Sequence, residues 1–278
     1  MTPTSEIRQP VALFDHLDCI ERRVAAAEHI ALFLDFDGTI SPIVLNPKDA
    51  ELDPEIYSTL RGLAARNDFT LAIVSGRALA DVRKRVPLTG AIYVGNHGLQ
   101  IESDDICFRE PEAERLRREL KCLSLQLRLA LSDTEGVEIE DKDLTIAVHF
   151  RRVAEEFHDW LRNSTYSTVG RSKSFTCREG KMVLDIQPQI AWNKGRAVKW
   201  IAREVLNQPS LPIYIGDDVT DEDAFASITE GITIRVGGLA ETEAQFLLPD
   251  VSGVGQFLTW LDHAKPHASL ANIQRVGR

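Results

Sequence analysis

At 278 residues, with 44% hydrophobic and 27% charged side chains, the chain is long enough for one large domain or two modest ones of ordinary globular composition. Its 42 acidic against 32 basic residues leave a net charge of −10, which argues against a nucleic-acid face and confines any anionic ligand to a spot where cations gather. No apolar run reaches the length of a membrane helix, and residues 1–10 are polar without a signal-peptide core, so a soluble, cytoplasmic chain is expected. The four cysteines, Cys19, Cys107, Cys122 and Cys177, form no CxxC pair and read as reduced, partly buried thiols rather than a zinc site or disulfide frame.

Leu13, Leu17, Ile20 and Val24 recur at helical spacing and predict an amphipathic helix over 12–27. A strand follows, Ala31-Leu-Phe-Leu34, running into Asp35-Phe36-Asp37-Gly38-Thr39. Asp53 as cap and Pro54 in the first turn open the next helix, with Ile56, Leu60 and Leu63 as its buried stripe. Phe69 to Val74 is a second strand ending in Ser75-Gly76-Arg77, and Ala91 to Val94 a third, ending in Gly95-Asn96-His97-Gly98. Strands alternating with helices predict a parallel sheet covered on both faces.

The rhythm then changes. A hairpin is expected around Asp104-Asp105, then a long helix over about 111–132 with Leu116, Leu120, Leu123 and Leu127 on one face. Paired strands follow around Asp141-Lys142-Asp143, a helix near 153–163, and a second strand pair around Glu179-Gly180. From Lys194 the alternation resumes: a helix to about Asn207, the strand Ile213 to Ile215 before Gly216-Asp217-Asp218, another helix, the strand Ile232 to Val236, and a last helix to about Trp260. The tail from Lys265 is polar and expected to be loose. The expected architecture is α/β: a doubly wound parallel-sheet core made of 1–108 and 189–278, with a smaller α/β domain of 109–188 inserted in it.

The chemistry-bearing residues fall at strand ends and at a helix start. Residues i and i+2 of a strand share a face, so Asp35 and Asp37 should point into one cleft. If the strand order reverses beside the Asp35 strand, the Asp217 turn faces it across the crevice where open α/β sheets bind ligands. A carboxylate approaching a phosphate dianion at ~4 Å meets roughly 8 kcal/mol of repulsion at an effective dielectric of ~20, so such a site needs a cation. Acidic turns offer the hard oxygens that suit Mg²⁺. Lys194 opens a helix, where the macrodipole disfavours a cation, so an anion it must hold explains it better than helix stability. Ser75 reads equally well as a hydroxyl donor or as a simple helix cap.

Asp35-Phe36-Asp37-Gly38-Thr39, Ser75, Lys194 and Gly216-Asp217-Asp218 with Asp221, in that order, resemble the four motifs of the haloacid dehalogenase superfamily of phosphatases. The resemblance implies that Asp35 attacks phosphorus and that Asp37 serves as general acid and base. It further implies that Ser75 and Lys194 bind the phosphoryl group. Mg²⁺ would be held by Asp35, the Asp37 backbone carbonyl and Asp217, with Asp218 acting through water.

Several further stretches are similar to the trehalose-6-phosphate phosphatase family: Val74-Ser75-Gly76-Arg77, Gly95-Asn96-His97-Gly98, Glu140-Asp141-Lys142, Ala147-Val148-His149-Phe150-Arg151, Gly180-Lys181-Met182-Val183-Leu184-Asp185 and Asn193-Lys194-Gly195. By that resemblance Glu140, Lys142 and Asp185 reach the disaccharide, and Arg77, His97 and Lys181 join them at the substrate. Two positions depart from the pattern: Asp185 stands where the family usually carries glutamate, and Gln187 where it often carries a basic residue. The residues alone leave other readings open. Glu140, Lys142 and Lys181 would suit solvated turns, His97 a satisfied core histidine, and Arg77 a brace for the acidic loops. At the level of function, a phosphatase of another sugar phosphate such as sucrose 6-phosphate, a sugar phosphomutase, or a non-catalytic sugar-phosphate sensor remain alternatives. A trehalose-6-phosphate synthase is the pathway partner that the resemblance implies.

Overall fold

The computed structural model describes residues 10–44, 46–238 and 241–264. Its first part runs β1 (Val11–Ala12), α1 (Leu17–Ala26), β2 (Ile30–Leu34), α2 (Pro54–Ala64), β3 (Phe69–Val74), α3 (Leu79–Arg85), β4 (Ile92–Gly95), β5 (Gln100–Glu102) and β6 (Cys107–Arg109). The middle part is α4 (Pro111–Ala130), β7 (Glu138–Asp141), β8 (Ile146–His149), α5 (His158–Val169), β9 (Phe175–Gly180) and β10 (Val183–Pro188). The last part is α6 (Lys194–Glu204), β11 (Leu211–Gly216), α7 (Val219–Ser227), β12 (Ile232–Val236), β13 (Phe246–Leu248) and α8 (Val251–Ala264).

The larger sheet has the order β1-β13-β12-β11-β2-β3-β4-β5-β6, parallel from β1 to β4 and antiparallel through β5 and β6. β2 lies in its interior and is buried along its whole length because both faces are covered. Ile30, Leu32 and Leu34 pack with the buried stripes of α1, α2 and α8, whereas Ala31 and Phe33 pack with α6 and α7. From β2 the chain winds one way through β3 and β4 and, on returning, the other way through β11, β12 and β13. The reversal therefore lies beside β2, and the turns after β2 and β11 open into the same crevice.

The middle part forms a separate antiparallel sheet of order β7-β8-β10-β9. Alternation sorts its side chains. Ile146, Val148, Leu184 and Ile186 pack against Leu120, Leu123 and Leu127 of α4 and Leu161 of α5. Ala147, His149 and Asp185 are left on the opposite face, toward the larger sheet.

Four details differ from the sequence-based expectation. The helix expected over 12–27 begins only at Leu17, because β1 pairs with β13 (Val11 opposite Phe246) and a 3-10 turn at Leu13–His16 leads from β1 into the helix. Neither two-residue β1 nor three-residue β13 leaves a periodic signal. The helix expected near 153–163 is α5, some residues later; Thr165 and Thr168 supply part of its buried stripe, so an apolar count misses its end. The second hairpin of the smaller sheet turns at Lys181-Met182 instead of Glu179-Gly180, with Met182 at φ 65°. Cys19, Cys107 and Cys122 are exposed rather than partly buried, since they fall on outward faces of α1, β6 and α4; Cys177 is half-buried and all four are free thiols. The tail from Lys265 lies outside the described residues. Among those residues no helix is long and apolar enough to cross a membrane.

Candidate active site

The backbone fixes the acidic turns before any side chain is considered. The Asp35 N–H donates to the Ile215 carbonyl (2.9 Å), stitching the end of β2 to β11. Gly38 takes φ 82° and donates to the Ser41 carbonyl (2.7 Å), closing the turn after Asp37. A side chain there would be both strained and obstructed, since a Cβ would lie 2.1 Å from Asp217 Oδ2.

Asp35, Asp217 and Asp221 are buried, and each offers a carboxylate oxygen within 4.8 Å of the others. Lys194, the first residue of α6, is buried among them and donates from Nζ to Asp35 Oδ1 (2.8 Å) and Asp221 Oδ1 (2.7 Å). Tyr214 Oη donates to that same Asp221 oxygen (2.7 Å), and the Asp218 N–H to the other (3.0 Å). Asp221 is thus fully engaged in holding the lysine and the turn. Asp217 differs: Oδ2 accepts from Lys181 Nζ (3.0 Å), while Oδ1 is buried without a hydrogen-bond partner.

Burial raises the Asp35 carboxyl well above its ordinary value, with Asp221 and Asp217 adding to the rise against the pull of Lys194. Burial likewise pushes Asp217 up to about 6, with Lys181 pulling it down and Asp221 adding to the rise. Buried carboxylates short of positive charge, one with an orphaned oxygen, form a hard-oxygen donor set that fits a divalent cation such as Mg²⁺. Asp35 and Asp217 are the residues with room to hold it. Asp218, expected to act on it through water, lines the cleft and also caps α7, its Oδ1 accepting from the Val219 N–H (2.8 Å).

Asp37 is gripped by Arg77, whose Nε and Nη2 donate to its two oxygens (both 2.6 Å) while Nη1 donates to Asp81 (2.8 Å). Arg77 thus braces the Asp37 turn against α3 while itself lining the cleft. Burial would lower its pKa, but Asp37 and Asp81 outweigh burial and raise it. Ser75 follows β3 at the cleft, and its Oγ accepts from the Arg77 N–H (3.1 Å). It caps no helix, because α3 starts only at Leu79.

The smaller sheet supplies the opposite wall. Lys142 is buried rather than solvated, its Nζ donating to the Gly76 carbonyl and to Asp185 Oδ1 (both 3.1 Å). Burial alone would raise the Asp185 carboxyl, yet Lys142 and the nearby His97 hold it far below the usual carboxylate range. His97 is buried at φ 56°, with Nε2 3.9 Å from Asp185 Oδ1 and neither ring nitrogen hydrogen-bonded. It is therefore not the satisfied core histidine that sequence left open. Burial pulls its imidazole below the ordinary value. Gly76 makes room for the ring, since a Cβ there would lie 2.3 Å from it. Glu140 accepts from His149 Nε2 (3.1 Å).

All the site residues expected from sequence line one cleft: Asp35, Asp37, Ser75, Arg77, His97, Lys194, Asp217 and Asp218 from the larger sheet's side, and Glu140, Lys142, Lys181 and Asp185 from the smaller one's. Sequence reasoning gave no task to His149 and Arg151, which also line it, or to Asn96, which supports it. Asn96 Nδ2 donates to the Lys142 carbonyl (3.0 Å), and its Oδ1 accepts from Thr145 Oγ1 (2.7 Å). The available signal was alternation: His149 shares a strand face with Ala147, directly across from Glu140.

Comparison with known proteins agrees with this geometry. The trehalose-phosphatase family profile matches residues 33–245. An uncharacterized glycosyl hydrolase of Mycobacterium tuberculosis is 37% identical over 251 residues, covering 86% of this chain and 19% of that protein. A trehalose-phosphate phosphatase of Mycobacterium marinum is 35% identical over 236 residues, covering 82% of this chain and 60% of the relative. The chain thus spans less than two thirds of the length of either. The crystal structure of a trehalose-6-phosphate phosphatase related protein superposes with a TM-score of 0.74 at 26% identity, covering 84% of this chain and 97% of that one. With a haloacid dehalogenase-like fold, and with the profile spanning both walls of the cleft, the chain belongs to the trehalose-phosphatase family.

Proposed function

We propose that the chain is a Mg²⁺-dependent phosphomonoester hydrolase that converts trehalose 6-phosphate to trehalose and phosphate. The observation that carries the reading is the two-sided cleft. Buried carboxylates and Lys194 suit a phosphoryl group on one wall, and paired carboxylate, ammonium and imidazole groups suit sugar hydroxyls on the other. Residues 109–188 then act as a cap that covers the sugar and limits water at the reaction.

In this reading Asp35 attacks phosphorus, the bond from phosphorus to the sugar oxygen breaks, and Asp37 gives its proton to the departing oxygen. Asp37 next takes a proton from water as that water attacks the phosphoaspartate, releasing phosphate and restoring Asp35. Both Asp37 oxygens accept from Arg77, so proton transfer requires one of those bonds to open. Lys194 and Ser75 hold the transferring group. A cation held by Asp35 and Asp217 would supply the positive charge that keeps both carboxylates ionised and offsets phosphate repulsion.

A cytoplasmic location belongs to the same proposal, supported by the free thiols. So does a pathway link to a trehalose-6-phosphate synthase, supported only by the chemistry of supplying this substrate. Phosphate release from trehalose 6-phosphate, measured with Mg²⁺ and with EDTA, tests the function. Cation-dependent release is expected, and no release by folded protein contradicts it.

A further inference from the structure

The mechanism leaves His149 without a task, although its ring lies in the cleft. β7 and β8 pair so that Glu138 stands opposite His149, and Glu140 opposite Ala147. Ala147 contributes only a methyl group, so the Glu140 side chain leans across it to its diagonal neighbour. His149 Nε2 and Glu140 Oε2 are 3.1 Å apart. An ionised carboxylate only accepts, so Nε2 carries the proton and donates.

Glu138, on the same face, does not compete for the ring, because it accepts from Lys48 Nζ (2.5 Å) and Arg152 Nη2 (3.2 Å). Among the described residues no other side chain donates to Glu140, whose side chain is 41% exposed against 21% for His149. A glutamate that open to solvent would sample several rotamers unless something held it. A ring fixed on a paired strand is such a hold.

We propose that His149 is a positioning residue: it orients Glu140 at the cleft mouth so that Oε1 meets a hydroxyl of the sugar that leaves with the ester oxygen. This rests on the phosphatase reading above. His149 would thereby tune preference for a polyhydroxylated leaving group without touching the reacting phosphate.

The test compares His149→Leu and His149→Gln, each with and without Glu140→Gln, on trehalose 6-phosphate and on p-nitrophenyl phosphate. Leucine should raise KM for the disaccharide phosphate about tenfold, the scale of one freed side chain, with kcat changed far less. The loss in kcat/KM on the aryl phosphate should be at least fivefold smaller. Glutamine, which keeps a donor, should recover most of the loss. In the Glu140→Gln background the leucine change should cost little more, because its effect runs through Glu140. Equal losses on both substrates, absence of rescue by glutamine, or full additivity with Glu140→Gln would overturn the role while leaving the phosphatase reading intact. A folded wild type inert toward both substrates would overturn that reading and this inference together.

Discussion

Asp35 has the carboxylates of Asp217 and Asp221 close by and one ammonium, Lys194, to offset them. Replacing it with asparagine keeps the shape, removes the nucleophile and relieves a buried charge. Asp35→Asn should therefore lower kcat by at least about a thousandfold while melting no lower than wild type. A near-wild-type rate would remove Asp35 as the nucleophile. Asp185 is the opposite case, since its pKa lies below the ordinary 3.8. A depressed carboxylate contributes stability that is present above the unfolded value and lost as pH falls through the folded one. Asp185→Asn should thus cost about 3 kcal/mol at pH 7, where Lys142 loses its counter-charge, and the gap to wild type should narrow as pH drops below about 4. Urea melts at pH 7 and pH 3 would check this; a gap that holds at low pH would contradict it.

At the residue scale, then, much of the site was legible. The i, i+2 aspartates, the second acidic turn and a helix-opening lysine announce themselves by position on an element. The partner each chooses does not, because that depends on distant loops meeting. Arg77 and Asp37 are forty positions apart, and Lys194 and Asp35 are separated by 159.

The elements deliver these groups through their ends. β2, β3 and β11 each end in a polar turn at the cleft, and β4 is followed at once by Asn96 at φ 51°, whose amide reaches across to the smaller sheet. That amide donates to Gln100 and to the Lys142 carbonyl and accepts from Thr145, so it ties the turn after β7 to the larger sheet. Asn96→Ala should lose about 3 kcal/mol from these buried bonds and raise KM more than it lowers kcat, as Lys142 loses its anchor. An unchanged melting temperature would show that the tie is dispensable. Sequence periodicity found every long strand and helix because their burial is regular. It failed where tertiary pairing creates a strand of two or three residues, as in β1 and β13, or where buried threonines complete a helix stripe, as in α5.

For the whole molecule, the topological reversal beside β2 sets the acidic turns side by side, and the inserted sheet brings its polar face down over them. Cations of the smaller sheet bridge the gap, Lys142 to the Gly76 carbonyl and Lys181 to Asp217, so both walls belong to one electrostatic unit. In the proposed function the larger sheet carries the reaction and the smaller one the choice of sugar. The most direct test is kcat/KM for trehalose 6-phosphate against sucrose 6-phosphate, glucose 6-phosphate and mannose 6-phosphate at saturating Mg²⁺. A preference of at least about tenfold for trehalose 6-phosphate is predicted, on the scale of one or two well-made hydroxyl contacts. Equal or greater efficiency on another of these esters would contradict the assignment of the smaller sheet to trehalose, and no hydrolysis of any of them would contradict the account as a whole.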